Sequence, residues 1–162
     1  MGLFSKKNKE RCVTLKHING LEIYPENLIV NLTLKEDLLE IKSKNVSNVP
    51  DIKLPYVQIL SADCITEREI VKESKNVVGR AVVGGILLGP LGSIVGGMSG
   101  VGDKTHSAPK YFIVINYKNK KEELKVLSFE VVGFSIWSKF IKELKNNIVN
   151  NANCESNEEL YL

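Results

Sequence analysis

Gly97, Gly100 and Gly102, followed by Asp103, Lys104 and Thr105, come close to the pattern of a phosphate-binding loop. In such a loop backbone N–H groups cradle phosphate oxygens, and a lysine directly follows the last glycine. Here Asp103 intervenes, and a carboxylate at that place repels phosphate. No apolar strand leads into the loop, so nucleotide chemistry is not expected. The two histidines, His17 and His106, lie far apart, and no CxxC, HExxH or close Cys/His set exists. That argues against a metal centre. A GxSxG nucleophile elbow is absent too. Asp63, Glu67 and Glu69 are expected on one strand face, where carboxylates are ordinarily solvated. Cys12, Cys64 and Cys154 are odd in number and widely spaced, which suits a reducing compartment without a disulfide framework. The expectation is no enzyme, no cofactor and no metal.

The glycines carry a different signal. Gly85 and Gly89 form one GxxxG, and Gly92, Gly96 and Gly100 form a second, doubled one. On a helix, residues four apart share a face, so glycines at this spacing make a groove that another helix can approach closely. Such glycines cost about 1 kcal/mol each relative to alanine in a solvated helix, which close packing would offset. They sit in residues 81–102, a stretch without a charged residue. As one helix these residues would span roughly 33 Å, enough for a bilayer. Gly89-Pro90 interrupts them, because proline lacks an N–H and clashes with the preceding turn. The expectation is therefore a helical hairpin with arms 77–88 and 91–99 and its turn at Gly89 and Pro90. Lys72, Lys75 and Arg80 precede it, and Lys104 and Lys110 follow it. A re-entrant hairpin would leave both basic flanks on the cytoplasmic side.

The elements around this segment read as strands. Leu28, Val30, Leu32 and Leu34 alternate along one face, Lys35-Glu36-Asp37 turns, and Leu39 and Ile41 continue. Asn19-Gly20 between apolar runs predicts an early hairpin within residues 11–23. Residues 52–69 hold one or two strands with Pro55 at an edge or bend. Residues 110–118 alternate with apolar residues on both faces, which predicts a central strand, and 122–132 return beside it. Trp137, Phe140, Ile141, Leu144 and Ile148 form one apolar stripe of a helix capped at Ser135. The acidic tail 151–162 is expected to be disordered, at least in its first half.

In this order the chain resembles a pleckstrin-homology-like (PH-like) or GRAM-like domain. The matching pieces are NLIVNLTLKEDLLEIKS, IKLPYVQILSADCITERE, YFIVINYKNKKEELKVLSFE and the closing helix SIWSKFIKELKNNI. In its details it is similar to proteins of low-GC Gram-positive bacteria and their prophages that carry a glycine-rich insert at this place. The resemblance implies a mainly β (α+β) fold, a bent antiparallel barrel of about seven strands closed by a C-terminal helix. It leaves the ligand open, since such barrels bind lipids, peptides or proteins, or serve as scaffolds. The organisation expected is a basic tail 1–10, a PH-like domain 11–150 interrupted by a glycine-zipper insert 72–109, and the tail 151–162.

The 162 residues, 43% hydrophobic and 25% charged, suit one folded domain. A net charge of +3 is too small to argue for nucleic acid, and no such partner is expected. No secretory leader is expected, and Lys6 stands where a myristoylation pattern needs Ser or Thr. Lys6, Lys7, Lys9, Arg11 and Lys16, with Leu3 and Phe4, would suit either an anionic membrane surface or a solvated start to the first strand. The functional expectation is a non-enzymatic binding or scaffold protein in the cytoplasm. Its hairpin would attach it to a membrane, peripherally or re-entrantly, or to copies of itself. The alternative is a soluble protein-binding module whose hairpin is an internal insert packed on its own barrel.

Overall fold

The computed structural model describes residues 11–76, 82–98, 108–133 and 136–156. Seven strands form one antiparallel sheet: β1 (Cys12–Asn19), β2 (Ile29–Leu34), β3 (Leu38–Ser43), β4 (Ile52–Pro55), β5 (Ile59–Thr66), β8 (Tyr111–Lys118) and β9 (Leu124–Val131). Their order across the sheet is β4-β3-β2-β1-β9-β8-β5. Between β5 and β8 lie α1 (Glu67–Asn76), the short strands β6 (Val82–Val83) and β7 (Ile86–Leu87), and α2 (Leu91–Met98). The C-terminal helix is α3 (Trp137–Ser156).

Period-two alternation selects the inner face. Val13 and Leu15 of β1, Val30, Leu32 and Leu34 of β2, Leu39 and Ile41 of β3, Ile113 and Ile115 of β8, and Leu127 and Phe129 of β9 are all buried. They join Phe140, Ile141 and Leu144 of α3 in one core. All seven strands and a helix can share one core only if the sheet curls over it, with α3 filling the opening. Tyr56, in the 3-10 turn between β4 and β5, fixes the closure. Its hydroxyl donates to the Lys35 carbonyl at 2.8 Å and accepts from Asn147 Nδ2 of α3 at 3.2 Å. Lys145 of α3 pairs with Asp63 of β5 at 2.9 Å, and Arg11 pairs with Glu143 at the other side of the helix.

Four expectations are corrected. Asn19-Gly20 makes no hairpin: β1 runs on through His17 to Asn19, and β2 starts only at Ile29. Gly20 is needed for another reason. Its φ is +106°, and a Cβ there would stand 2.1 Å from the Val126 carbonyl oxygen, beside the bulge where β1 meets β9. Glu67 and Glu69 do not lie on a strand with Asp63, because they open α1. Thr66 and Glu69 form a capping box: the Thr66 N–H and hydroxyl donate to Glu69 Oε2 at 2.8 and 2.7 Å, and the Glu69 N–H donates back to Thr66 Oγ1 at 3.3 Å. The first half of the tail is helix rather than disorder, since α3 continues to Ser156. No proline or glycine interrupts residues 149–156, and Asn151 Nδ2 bonds the Asn147 carbonyl one turn back at 2.8 Å.

The fourth correction concerns the first arm of the insert. Residues 82–87 are a two-stranded β-hairpin, with Val82 opposite Leu87 and Val83 opposite Ile86. Gly84 and Gly85 occupy its two-residue turn at φ +54° and +86°. Two successive positive φ values are what a type I′ hairpin turn demands, and Gly-Gly satisfies them at no steric cost. A helix cannot run through that pair. The second arm is helical as expected, α2 starting directly after Pro90, whose carbonyl accepts from the Ser93 and Ile94 N–H groups at 3.1 Å each.

Candidate functional site

The sheet has two outer faces in effect. Over β2 and β3 the outward residues are polar: Glu40 is nearly buried between Lys35 at 3.7 Å and Lys42 at 3.2 Å, and Lys42 also reaches Asp51 at 3.1 Å. Over part of β5, β8 and β9 apolar residues take their place. Ile65, Phe112 and Val114 are buried there together with Ile18, and the insert covers them. Ile70 of α1, Ile86 of β7, Leu88, and Leu91 and Val95 of α2 complete this second core. That explains why β8 is apolar on both faces: Ile113 and Ile115 face the inner core, and Phe112 and Val114 face the insert.

One polar side chain pins the insert to the sheet. Asn116 of β8 is 4% exposed. Its Oδ1 accepts from the Leu87 N–H and its Nδ2 donates to the Leu87 carbonyl, both at 2.8 Å. The amide thus pairs with β7 much as a neighbouring strand would. Gly89 follows at φ +55°, with its Cβ position 3.2 Å from a Val126 methyl. Its lack of a side chain lets the chain pass close over β9 before α2 begins.

The glycines of the expected zipper therefore have different tasks. Gly85 is a turn residue, Gly89 and Pro90 form the turn between β7 and α2, and Gly85 and Gly89 share no helix face. Gly92 is buried on α2, and Gly96 lies one turn further along the same helix. Gly100 is outside the described residues, as are Arg80 and Lys104. Lys72 is exposed on α1, which also contains Lys75. Lys110 is exposed just before β8, its carbonyl accepting from the Glu67 N–H at 3.0 Å.

A cleft of about 520 Å³ opens where the insert meets the loop after β1. Leu21, Leu87, Pro90, Leu124 and Val126 give it apolar walls, with Glu22, Glu26 and Lys125 around them. His17 lies at its base, 2% exposed. Both ring nitrogens are committed: Nε2 accepts from the Leu21 N–H at 3.3 Å, and Nδ1 lies 3.0 Å from the Pro25 carbonyl, to which it donates. His17 thus shapes the loop and has no nitrogen left for proton transfer. Burial and, secondarily, the Asp51 charge push the Tyr24 phenol up, and its hydroxyl is held by the Pro50 and Ile41 carbonyls at 2.9 and 3.2 Å. Burial first, then Asp63, pushes the Cys64 thiol up to about 12, away from thiolate chemistry. Among the described residues no cluster of His, Cys, Asp or Glu is arranged to hold a metal ion, and no helix is long and apolar enough to cross a membrane.

A curled seven-stranded antiparallel sheet, closed by a C-terminal helix and carrying a glycine-rich segment between β5 and β8, is matched by one family model. The description of that family is "Glycine zipper containing PH domain", and the match covers residues 3–130. The chain belongs to this family. No curated protein matches it. In this PH domain the matched region ends within β9, so α3 lies beyond it, although α3 supplies Phe140, Ile141 and Leu144 to the inner core. Sequence reasoning missed Asn116, the clamp. A lone asparagine among Tyr111, Phe112, Ile113, Val114 and Ile115 was its one visible signal, because a polar residue in a doubly apolar strand needs a partner.

Proposed function

We propose that this PH domain is a non-enzymatic binding scaffold that assembles with copies of itself through the later part of the glycine zipper in its insert, Gly96 and Gly100. The observation that carries the reading is α2. It is a helix with Gly92 and Gly96 four residues apart, seated on the barrel by Leu91 and Val95. Gly92 is already buried within the chain, so pairing with an identical helix would run through the later members of the register, Gly96 and Gly100. Bilayer insertion is the less favoured form of attachment. The eight residues of α2 rise about 12 Å, against the ~30 Å of a hydrocarbon core. Pulling the insert into lipid would also uncover Ile18, Ile65, Phe112 and Val114 to water. The place of action is the cytoplasm, which suits the free thiols of Cys12 and Cys64.

A second reading has its own observation. Ile86, Leu88, Leu91 and Val95 are already buried on the barrel, which favours an internal insert in a soluble protein-binding module. The test is sedimentation and crosslinking of the full chain, wild type beside Gly96→Leu/Gly100→Leu, in buffer and with anionic vesicles. These leucines leave the buried Gly92 untouched and keep the segment apolar. Assembly in the wild type and its loss in the double variant is expected. A wild type that stays monomeric at every concentration refutes self-association and leaves the internal insert. Vesicle binding that survives both leucines points to simple partitioning instead.

A further inference from the structure

The insert packs on the outer face of the barrel and adds no residue to the inner core. Among the described residues, twenty buried ones form the inner core, and a separate set of nine forms the outer one between the barrel and the insert. Three observations bear on how firmly the covering unit, residues 82–98, is held. Its direct hydrogen-bond clamp is the pair between Asn116 and Leu87, and water can replace both of these bonds once the unit lifts. Its helix α2 packs against α1, whose Ile70 is buried in the same core. The surface beneath it carries an unsatisfied polar group. Ser128 of β9 pairs with Val114 across the ladder and so shares the outer face; it is 0% exposed, and its hydroxyl has no hydrogen-bond partner among the described residues. A buried hydroxyl without a partner is unfavourable, and hydration on opening would relieve it.

We infer that the β6–β7–α2 unit is a latch: it opens from β8 and β9 as a unit while the barrel stays folded. In the open state Ile86, Leu88, Leu91 and Val95 separate from Ile65, Ile70, Phe112 and Val114. The property belongs to the single chain and does not depend on whether copies assemble.

Native-state amide hydrogen exchange of the dilute, monomeric full chain tests this, at a series of urea concentrations below the unfolding transition. The Leu87, Leu88 and Val95 amides are expected to exchange at least about ten-fold faster than those of Leu32 and Ile115, with shallow urea dependence, as sub-global openings do. Ser128→Ala removes the unpartnered hydroxyl and should slow the exchange of the covering unit by about ten-fold. Asn116→Ala removes the clamp and should speed it by about ten-fold or more. If Asn116→Ala fails to fold, the wild type and Ser128→Ala decide the matter alone. Coincident exchange of unit and barrel amides in the wild type, with the same urea dependence, overturns the latch. So does faster exchange of the unit in Ser128→Ala.

Discussion

Replacing Gly20 by alanine should cost far more than a surface glycine substitution normally does. Two penalties add at this position. The φ of +106° is strained for any L-residue, at about 1–3 kcal/mol. The new Cβ would also fall 2.1 Å from the Val126 carbonyl oxygen and 3.0 Å from Leu127 Cα. Those are backbone atoms of β9, so relief requires β1 and β9 to part beside their bulge. A total of about 3–5 kcal/mol follows, of the order reached when strain and overpacking combine. For a chain of this size that corresponds to a fall in Tm of roughly 6–20 °C. Gly84→Ala is the matched control. Its φ is +54°, but nothing lies within 4 Å of the Cβ position. It should lose only about 1 kcal/mol, the strain alone. Urea unfolding of the two variants beside the wild type gives the difference directly. If Gly20→Ala lies within about 0.5 kcal/mol of Gly84→Ala, the close approach of β9 is not what selects glycine, and the reasoning fails.

Phe140→Ala should destabilise by about 3–5 kcal/mol, because the ring is 0% exposed in the inner core. Trp137→Ala should cost about half of that, since Trp137 is only partly buried, against Tyr111 with ring centroids 5.2 Å apart; equal losses in urea melts would contradict this placement of α3. In a Cys154→Ser background at pH 8, a thiol reagent should modify the exposed Cys12 in the native protein and reach Cys64 only on unfolding, because burial and Asp63 hold that thiol near 12. Two native labels by mass spectrometry would refute it. Thr66→Ala should cost about 1 kcal/mol through loss of the cap. The contribution of Glu69, whose carboxyl is held below its ordinary value by hydrogen bonds from Thr66, should be complete above the unfolded value of 4.5 and fade as pH falls through the lowered folded value. Melts of Thr66→Ala and wild type should therefore converge in acid.

The barrel was legible because its strands bury one face and expose the other. Leu32, Leu34, Leu39 and Ile41 announce their faces by spacing alone. β8 was legible as a central strand for a related reason, although its second apolar face covers the insert rather than another part of the barrel. The insert was misread where two patterns compete for the same glycines. Gly85 and Gly89 satisfy a helical spacing, while Val82-Val83-Gly84-Gly85-Ile86-Leu87 is equally a two-residue hairpin, and the paired positive φ values decide for the hairpin. The capping box at Thr66 and Glu69 was in plain view, yet it follows a strand without a break, so α1 merged with the strand before it. Asn19-Gly20 illustrates the opposite error. A strong local hairpin signal was overridden by the approach of β9, a strand more than a hundred residues later in the chain.

The insert begins and ends on one rung of the sheet, where Thr66 of β5 faces Tyr111 of β8. Residues opposed in an antiparallel pair stand only about 5 Å apart, so a tight turn could join these two strands in its place. Geometrically, such a segment can be acquired by a barrel in a single genetic event without disturbing any strand. Its loss is not the mirror image of its gain. A chain that shed the segment would display Phe112, Val114 and Ile65 as a sticky face. The junction is therefore asymmetric: its geometry leaves it open to insertion, while the apolar residues beneath would oppose excision.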